Sequence, residues 1–359
     1  MKTIKTKIFF FIPSLRAGGA ERVVSFIAQN IDKAKFEPTL YVIGTKEDAT
    51  FEVTDVAVEF LNHRRVSKSF GAIFNTVRKG KPDIVFGTIG HVNILLGFIK
   101  LFFPKTIFIG REVNVISVLS EVQEMKGKLP KWLGLYLVNR LDVMVCQSVD
   151  MAVDVKKMFG IPDRKVKIIN NPVSKRFQLK NHEEDSNSLF KLITIGSLSS
   201  RKGHLRLLEV LKDVTIPFSY TIVGNGDLKD EIFETIRKYN LEDKVTHIPF
   251  SDEVAQLLQN HDLFLLGSFV EGFPNVLLES CAVGTPVISF NILGGINEII
   301  IEGVNGYIAN TPEEYVEKIV LASKQDWNRK EIRNTVVSRY NEDKIISDYE
   351  QLFLSEVNK

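Results

Sequence analysis

The sequence predicts an α/β protein built from two doubly wound parallel-sheet domains, and three observations carry that expectation. Short apolar runs of the kind buried on both faces of a parallel sheet recur along the chain. Each is followed by a loop and then by a segment long enough for a crossover helix. The chain has 359 residues, more than one hydrophobic core usually serves. With 44% apolar and 25% charged residues it has the composition of a soluble globular protein, and a formal charge of +2 gives no reason to expect nucleic acid as a partner. Cys146 and Cys281 are the only cysteines and both lie in apolar runs, so neither a disulfide framework nor a metal site is expected, and a reducing compartment is the natural home.

The first strand is Ile8 to Ile12. Lysines precede it, but the run is too short for a signal-peptide core, and no stretch reaches the ~18 apolar residues of a membrane span. Pro13 to Arg22 follows as a glycine loop entering a helix, where Gly18 and Gly19 would let an anion approach backbone N–H groups. A tight turn with no ligand is the plainer alternative. Further strands are expected at Leu40–Ile43, Ile84–Phe86, Ile107–Ile109 and Val143–Val145. Two strand-end loops stand out: Gly87 to Asn93, which carries His91, and Gly110 to Asn114, which carries Arg111 and Glu112. Asn93 to Phe103 is apolar apart from Lys100, and Lys126, Lys128 and Lys131 precede the aromatic stretch Trp132 to Leu137. Lysines beside such a stretch suit a membrane surface; a buried crossover helix and a solvated lysine loop are the alternative.

The polar stretch Lys180 to Ser188 reads as a loop or linker. The same rhythm then restarts. Leu192–Ile195 leads into Gly196-Ser197-Leu198-Ser199-Ser200-Arg201-Lys202-Gly203 and a helix from His204, placing adjacent cations at a helix start where a diphosphate could sit. Tyr220–Val223 leads into the turn Gly224-Asn225-Gly226-Asp227. Leu263–Leu266 leads into Ser268-Phe269-Val270-Glu271-Gly272-Phe273-Pro274-Asn275-Val276-Leu277-Leu278-Glu279. Pro274 fits the first position of a helix and Gly284 the position just past its end, so Glu271 falls on the loop and Glu279 on the helix. Ligands of an open α/β sheet bind at the carboxyl ends of its strands, where a carboxylate accepts hydrogen bonds from sugar or ribose hydroxyls.

The run Glu271 to Glu279, followed by Ala282-Val283-Gly284-Thr285-Pro286-Val287-Ile288, resembles the signature of glycosyltransferase family 4. That resemblance covers nearly the whole chain. It implies a GT-B fold: two Rossmann-like domains facing across a cleft, the first of residues 1–172 with a C-terminal crossover helix within 340–359, the second of residues 173–339. It further implies a retaining transfer from a nucleotide sugar, expected to be a UDP-sugar, to a hydroxyl of a glycan or polyprenyl-diphosphate-linked acceptor. By the same resemblance Glu279 binds the ribose and Glu271 lies by the donor sugar and its phosphate. Arg201 and Lys202 hold the diphosphate, Gly18 and Gly19 belong to the loop facing the phosphates, and Val245 to Pro249 edges the base pocket with Phe250 beside it.

Gly196, Ser197, Gly224, Asn225, Gly226, Gly272, Phe273, Pro274, Asn275 and Val276 complete the expected donor site. Arg111 and Glu112 resemble a loop found near the reacting sugar in some members, and His91 is a further catalytic candidate. Two departures stand out: the order of residues at Arg111-Glu112, and Ser197 where many members carry arginine. No Asp-x-Asp occurs, so a metal-free reaction is expected, with cations and helix ends offsetting the diphosphate charge. The setting implied is cytoplasmic assembly of a bacterial surface polysaccharide such as capsule or lipopolysaccharide, with peripheral contact to the membrane. A non-catalytic binder of nucleotide sugar or glycan and a nucleotide-sugar epimerase remain as alternatives. A paired-carboxylate hydrolase does not fit one glutamate on a loop and the other more than a turn into a helix, and a nicotinamide enzyme lacks Gly-x-Gly-x-x-Gly after the first strand.

Overall fold

A computed structural model describes residues 5–16, 18–118, 130–179 and 189–359. The chain divides into two compact units, Met1–Asn171 with Asp343–Lys359, and Pro172–Glu342. The first holds a parallel sheet of β1 (Thr6–Ile12), β2 (Phe36–Val42), β3 (Ala57–Phe60), β4 (Ile84–Thr88), β5 (Ile107–Arg111), β6 (Val143–Cys146) and β7 (Val166–Ile168). Its spatial order is β3-β2-β1-β4-β5-β6-β7. The second unit's parallel sheet has β8 (Phe190–Ile195), β9 (Phe218–Val223), β10 (Val245–Ile248), β11 (Leu263–Leu266), β12 (Val287–Phe290) and β13 (Gly306–Ala309), in the order β10-β9-β8-β11-β12-β13. In each sheet the strand order reverses once, between β1 and β4 and between β8 and β11, which is where open α/β sheets bind ligands.

The central strands are buried on both faces, so they carry no polar alternation; Phe9, Phe10 and Phe11 of β1 are all buried. The C-terminal helix Glu342–Val357 belongs to this unit apart from its first residue. Its Phe353 ring packs against those of Phe10, Phe36 and Phe86 at 6.1, 6.0 and 6.0 Å. Each such buried ring contributes roughly 1.5–3 kcal/mol, enough to dock the helix onto this sheet. Helix ends follow local chemistry elsewhere too: Ser148 Oγ accepts from Met151 N at 3.2 Å to cap Val149–Phe159, and Thr311 Oγ1 accepts from Glu314 N at 3.2 Å ahead of Pro312–Ala322.

The apolar stretch from Asn93 divides its surface. Helix α3 (Gly90–Lys100), which follows α1 (Gly19–Asn30) and α2 (Phe70–Gly80), buries Val92, Leu96 and Ile99, whereas Phe98 and, just beyond its end, Leu101 and Phe102 are exposed. Helix α4 (Lys131–Asn139) likewise buries Leu137 and Val138 and exposes Trp132 and Tyr136. Lys126, Lys128 and the stretch from Lys180 to Ser188 lie outside the described residues, as does the side chain of Lys131. Among the described residues no helix is long and apolar enough to cross a membrane.

Candidate active site

At the β8/β11 reversal the loop after β8 is joined through its backbone to both neighbouring loops. Phe269 N, after β11, donates to Arg201 O at 2.9 Å, while Gly196 N donates to Val223 O at 2.9 Å and Leu198 N to Asn225 O at 3.0 Å at the end of β9. A 3₁₀ turn, Ser200–Lys202, ends in Gly203, whose φ of 63° opens helix His204–Leu211. A Cβ on Gly203 would lie 1.9 Å from Gly267 O, and one on Gly224, at φ 143°, would lie 2.0 Å from Gly196 O. These two glycines are therefore required for loop to meet loop, whatever approaches from outside. The missing side chain of Gly224 thus leaves room for the close approach of Gly196.

The loop contact brings Lys202 to Glu271. Lys202 Nζ lies 2.6 Å from Glu271 Oε1, and Ser268 Oγ donates to the same oxygen at 2.6 Å. Burial pushes the Glu271 carboxyl up, but the charges of Lys202 and Arg201, with the hydrogen bonds from Lys202 and Ser268, outweigh it and hold the group below its ordinary value. Glu271 is thus an anion at neutral pH, fixed by two donors. Lys202 keeps further N–H donors for a second acceptor, since an ammonium carries three.

Arg206, which the sequence reading passed over, supports this pair from behind. Its Nη2 donates to Ser268 O at 2.7 Å, and its guanidinium lies 3.6 Å from the Phe290 ring centroid and 4.3 Å from that of Phe269. Desolvation lowers its pKa to about 10, still far above neutrality. Its position one turn into a helix gave no sequence signal, because its partners come from β11 and β12. His204 is similar: buried, with Nε2 3.1 Å from Ser197 O, and pushed down to about 4 by desolvation, so that the neutral ring donates to that carbonyl.

Helix Asn275–Ala282 starts one residue later than expected, with Pro274 as the flanking residue before it, and Gly284 follows its end at φ 86°. Asn275, Val276 and Glu279 are half-buried on this helix. Phe273 departs from the expectation of a ligand contact: its ring is in the core, edge-on to Tyr340 at 5.3 Å. Gly272 and Pro274 are buried with it. Ser197 and Asn225 are exposed; Ser197 Oγ lies 3.2 Å from Ser199 Oγ, and Asn225 Oδ1 accepts from Gly226 N at 2.9 Å. Phe250, just past β10, has 67% of its surface exposed, an unusual position for a phenyl ring with no ligand role.

In the first unit, Gly18 precedes helix α1, and a Cβ there would lie 2.3 Å from Glu21 Oε2. The anion at this helix start is therefore the chain's own carboxylate, which burial raises above its ordinary pKa. Gly19 is exposed. Arg111 is not placed for contact with substrate: it is 1% exposed, with Nη2 donating to Asn171 Oδ1 at 2.6 Å and Nη1 3.5 Å from Thr88 Oγ1. Glu112 is also buried; Val113 N donates to its Oε1 at 3.0 Å, and desolvation pushes its carboxyl up to about 7. His91 is exposed at the start of α3, two residues after Ile89, whose φ of 75° is a strained conformation for a β-branched residue, and Ile89 N donates to Arg111 O at 3.1 Å. Among the described residues no group of three or more His, Cys, Asp or Glu side chains is arranged to hold a metal ion.

Two Rossmann-like parallel sheets, the second with a lysine and a carboxylate joined at its reversal point, define the GT-B class of glycosyltransferases. The HepE protein of Anabaena, solved in complex with UDP, superposes with a TM-score of 0.82 over 98% of this chain and 100% of that one at 18% identity. The family model described as "Glycosyl transferases group 1" matches residues 175–338, and that described as "Glycosyltransferase Family 4" matches residues 17–176. The chain belongs to glycosyltransferase family 4. It is 26% identical over 320 residues to the N-acetylgalactosamine-N,N'-diacetylbacillosaminyl-diphospho-undecaprenol 4-alpha-N-acetylgalactosaminyltransferase of Campylobacter jejuni, spanning 86% of this chain and 87% of the relative. It is also 32% identical over 162 residues to the amylovoran biosynthesis glycosyltransferase AmsK of Erwinia amylovora, 42% of this chain and 39% of that one.

Proposed function

We propose that this glycosyltransferase moves a sugar with retention from a UDP-sugar to a hydroxyl of a lipid-diphosphate-linked glycan, without a metal ion, on the cytoplasmic face of the membrane. The observation that carries the reading is the Lys202–Glu271 contact at 2.6 Å where the β8/β11 strand order reverses. It supplies an ammonium and a fixed carboxylate a few ångströms from a helix start, the parts needed to hold a diphosphate and a sugar hydroxyl together. The diphosphate would take the free donors of Lys202, with Arg201 adding charge, and the ribose would meet Glu279 on helix Asn275–Ala282. In the transfer the bond from the anomeric carbon to the phosphate oxygen breaks and its electron pair stays on the diphosphate. The acceptor oxygen bonds to the same face of that carbon, and its proton passes to the phosphate. Lys202 contributes most as negative charge grows on the leaving group, which is the condition for lowering the barrier.

The printed acceptor of the Campylobacter relative supports the lipid-diphosphate class, and the UDP of the Anabaena structure supports the donor nucleotide. The test is a screen of nucleotide sugars for slow release of free nucleotide, with acceptor absent and EDTA present. Release from one UDP-sugar names the donor and supports metal independence. Release only after a divalent cation is restored contradicts the metal-free step, and release from none, with UDP still bound, makes the chain a non-catalytic binder.

A further inference from the structure

Along the carboxyl edge of the second sheet the strands stand in the order β10-β9-β8-β11-β12. Neighbouring strands lie ~4.8 Å apart, so the loop after β10, which carries Phe250, and the loop after β11, which carries Glu271, are separated by three strand intervals, or ~14 Å. Lys202, after β8, stands between them. With the diphosphate on Lys202 and the base toward Phe250, the sugar comes to the loops after β11 and β12. What those loops expose bears on which sugar is accepted.

Both expose an apolar side chain beside Glu271. Phe269, two residues before it, has 42% of its surface exposed. It is not a loose ring. Its N–H donates to Arg201 O, and the ring lies 4.3 Å from the Arg206 guanidinium, which itself sits 3.6 Å from the Phe290 centroid and donates to Ser268 O. Leu293, after β12, is 49% exposed. The next residue, Gly294, has φ 116° and approaches the preceding loop so closely that a Cβ would fall 1.9 Å from Glu271 O. Leu293 is therefore one residue from the point where the two loops touch, and Phe269 is at most ~7 Å of chain from the same glutamate. The polar Asn291 turns the other way, its Nδ2 donating to Asn310 Oδ1 at 2.9 Å. Apolar side chains scattered singly over a surface need no explanation, but two from neighbouring loops that flank one buried carboxylate do.

A hexose whose substituents are all hydroxyls leaves both side chains uncovered. It meets Glu271 through Oε2, since Lys202 and Ser268 share Oε1. A sugar with an acetamido group uses all three residues: a hydroxyl donates to Glu271, the planar amide covers the Phe269 ring and the methyl packs on Leu293. A 6-deoxy sugar brings a methyl but no plane for the ring.

We propose that Phe269 and Leu293 make this chain selective for N-acetylated donor sugars over the corresponding plain hexoses. The inference rests on the transfer reading above for its nucleotide donor, and binding and turnover test the two separately. The probes are UDP-N-acetylglucosamine, UDP-N-acetylgalactosamine, UDP-glucose and UDP-galactose, each titrated calorimetrically into the full chain and each assayed for release of UDP. At least one N-acetylated donor is expected to bind, and to be hydrolysed, ~10-fold or more better than its plain counterpart, the scale for an apolar group filling an apolar site. Phe269→Ala and Leu293→Ala, both at exposed positions, should each lower that ratio several-fold, while UDP, which has no sugar, binds as to the native chain. Phe269→Tyr keeps the ring and should keep the ratio. The ratio is the readout because a variant that merely disturbs Arg206 and the Glu271 loop weakens all four donors alike.

Equal treatment of each N-acetylated sugar and its plain counterpart overturns the proposal, and leaves the transfer reading standing if either is turned over. A native ratio in both alanine variants overturns it too, as does a native chain that binds none of the four. If no donor is hydrolysed and the binding ratio still falls in the variants, the selection stands and the transfer reading falls.

Discussion

The two strand-order reversals solve opposite electrostatic problems with the same topology. Between β8 and β11 the strand-end loops meet through the Phe269 N to Arg201 O hydrogen bond, and Lys202 already has Glu271 as a partner at 2.6 Å. Around β1 and β4 the neighbouring loops stand apart enough to leave a cavity, which the exposed Arg64 and Arg65 line together with Asp48. A lysine held by a carboxylate keeps its geometry before any ligand arrives and spends little entropy when one does. Exposed arginines hold a ligand only by ordering themselves around it, so their contribution is smaller and screened by salt.

The sharpest way to break this contrast is Lys202→Ala, expected to lower turnover at least ~100-fold, the scale for removing one preorganised donor. Arg201→Ala should be clearly harmful and the double variant less than multiplicative, because the two cations share one diphosphate. Ser197→Ala, an exposed hydroxyl with a serine neighbour, should be mild by comparison. Steady-state turnover with the identified donor decides all four. A harmless Lys202→Ala would remove the catalytic reading of the second unit.

Glu112 offers a comparison in stability rather than rate. Its carboxyl is raised from an ordinary 4.5 to about 7 by burial, so between those values the folded chain holds a proton that the unfolded chain has lost. Stability linked to this group is therefore greatest below 4.5 and falls as pH rises toward 7, by roughly 3 kcal/mol for a shift of this size. Glu271 has the opposite sign: its carboxyl is depressed, and its contribution is full above the ordinary value and lost as pH falls through the folded one. Urea unfolding from pH 4.5 to 7.5 should show the Glu112 component disappear in Glu112→Gln. An unchanged pH slope would mean that Glu112 is already ionised in the folded chain.

Glu279→Gln tests the ribose assignment. It keeps shape and removes charge, so UDP affinity should fall by roughly 1.5–3 kcal/mol with the fold intact. Calorimetry measures this directly, and unchanged affinity would leave Glu279 as a solvated helix carboxylate. The smallest expected effect belongs to Arg206, which touches Ser268 and not the reacting groups. Arg206→Ala should lower kcat about 10-fold with KM for the donor little changed, and Arg206→Lys should restore only part of it, because an ammonium cannot lie flat between Phe269 and Phe290. Full rescue by lysine would show that only charge matters there.

What the sequence made legible was whatever one segment decides by itself. β11 was read at its observed ends because Leu263 to Leu266 is apolar without interruption, and the helix from His204 because Gly203 marks its start. β3, β10, β12 and β13 were not read as strands; β3, lying at the sheet edge, alternates between exposed and half-buried positions and so lacks the apolar run that marks a central strand. The partnership of Lys202 with Glu271 spans 69 positions and could not be seen as a pair, although both members were named. Phe273 and Arg111 were given to the ligand on the family resemblance of their loops; tertiary packing turns both side chains inward. Arg206 left no trace, since a helical arginine is ordinarily a solvated one.

The interlock of Gly203 with Gly267 and of Gly224 with Gly196 has a consequence for anyone wishing to change the sugar this chain uses. Mutational libraries placed on Gly203 or Gly224 would be spent on unfolded or misassembled loops, since a single methyl there would fall about 2 Å from a carbonyl oxygen. The tolerant positions are the exposed ones on the same loops, Ser197 and Asn225, together with Phe250 beyond β10. Substitutions on these loops are therefore best placed at side chains that stand clear of a rigid glycine frame, and recombination of whole loops would have to keep Gly203 and Gly224 opposite the carbonyls they face.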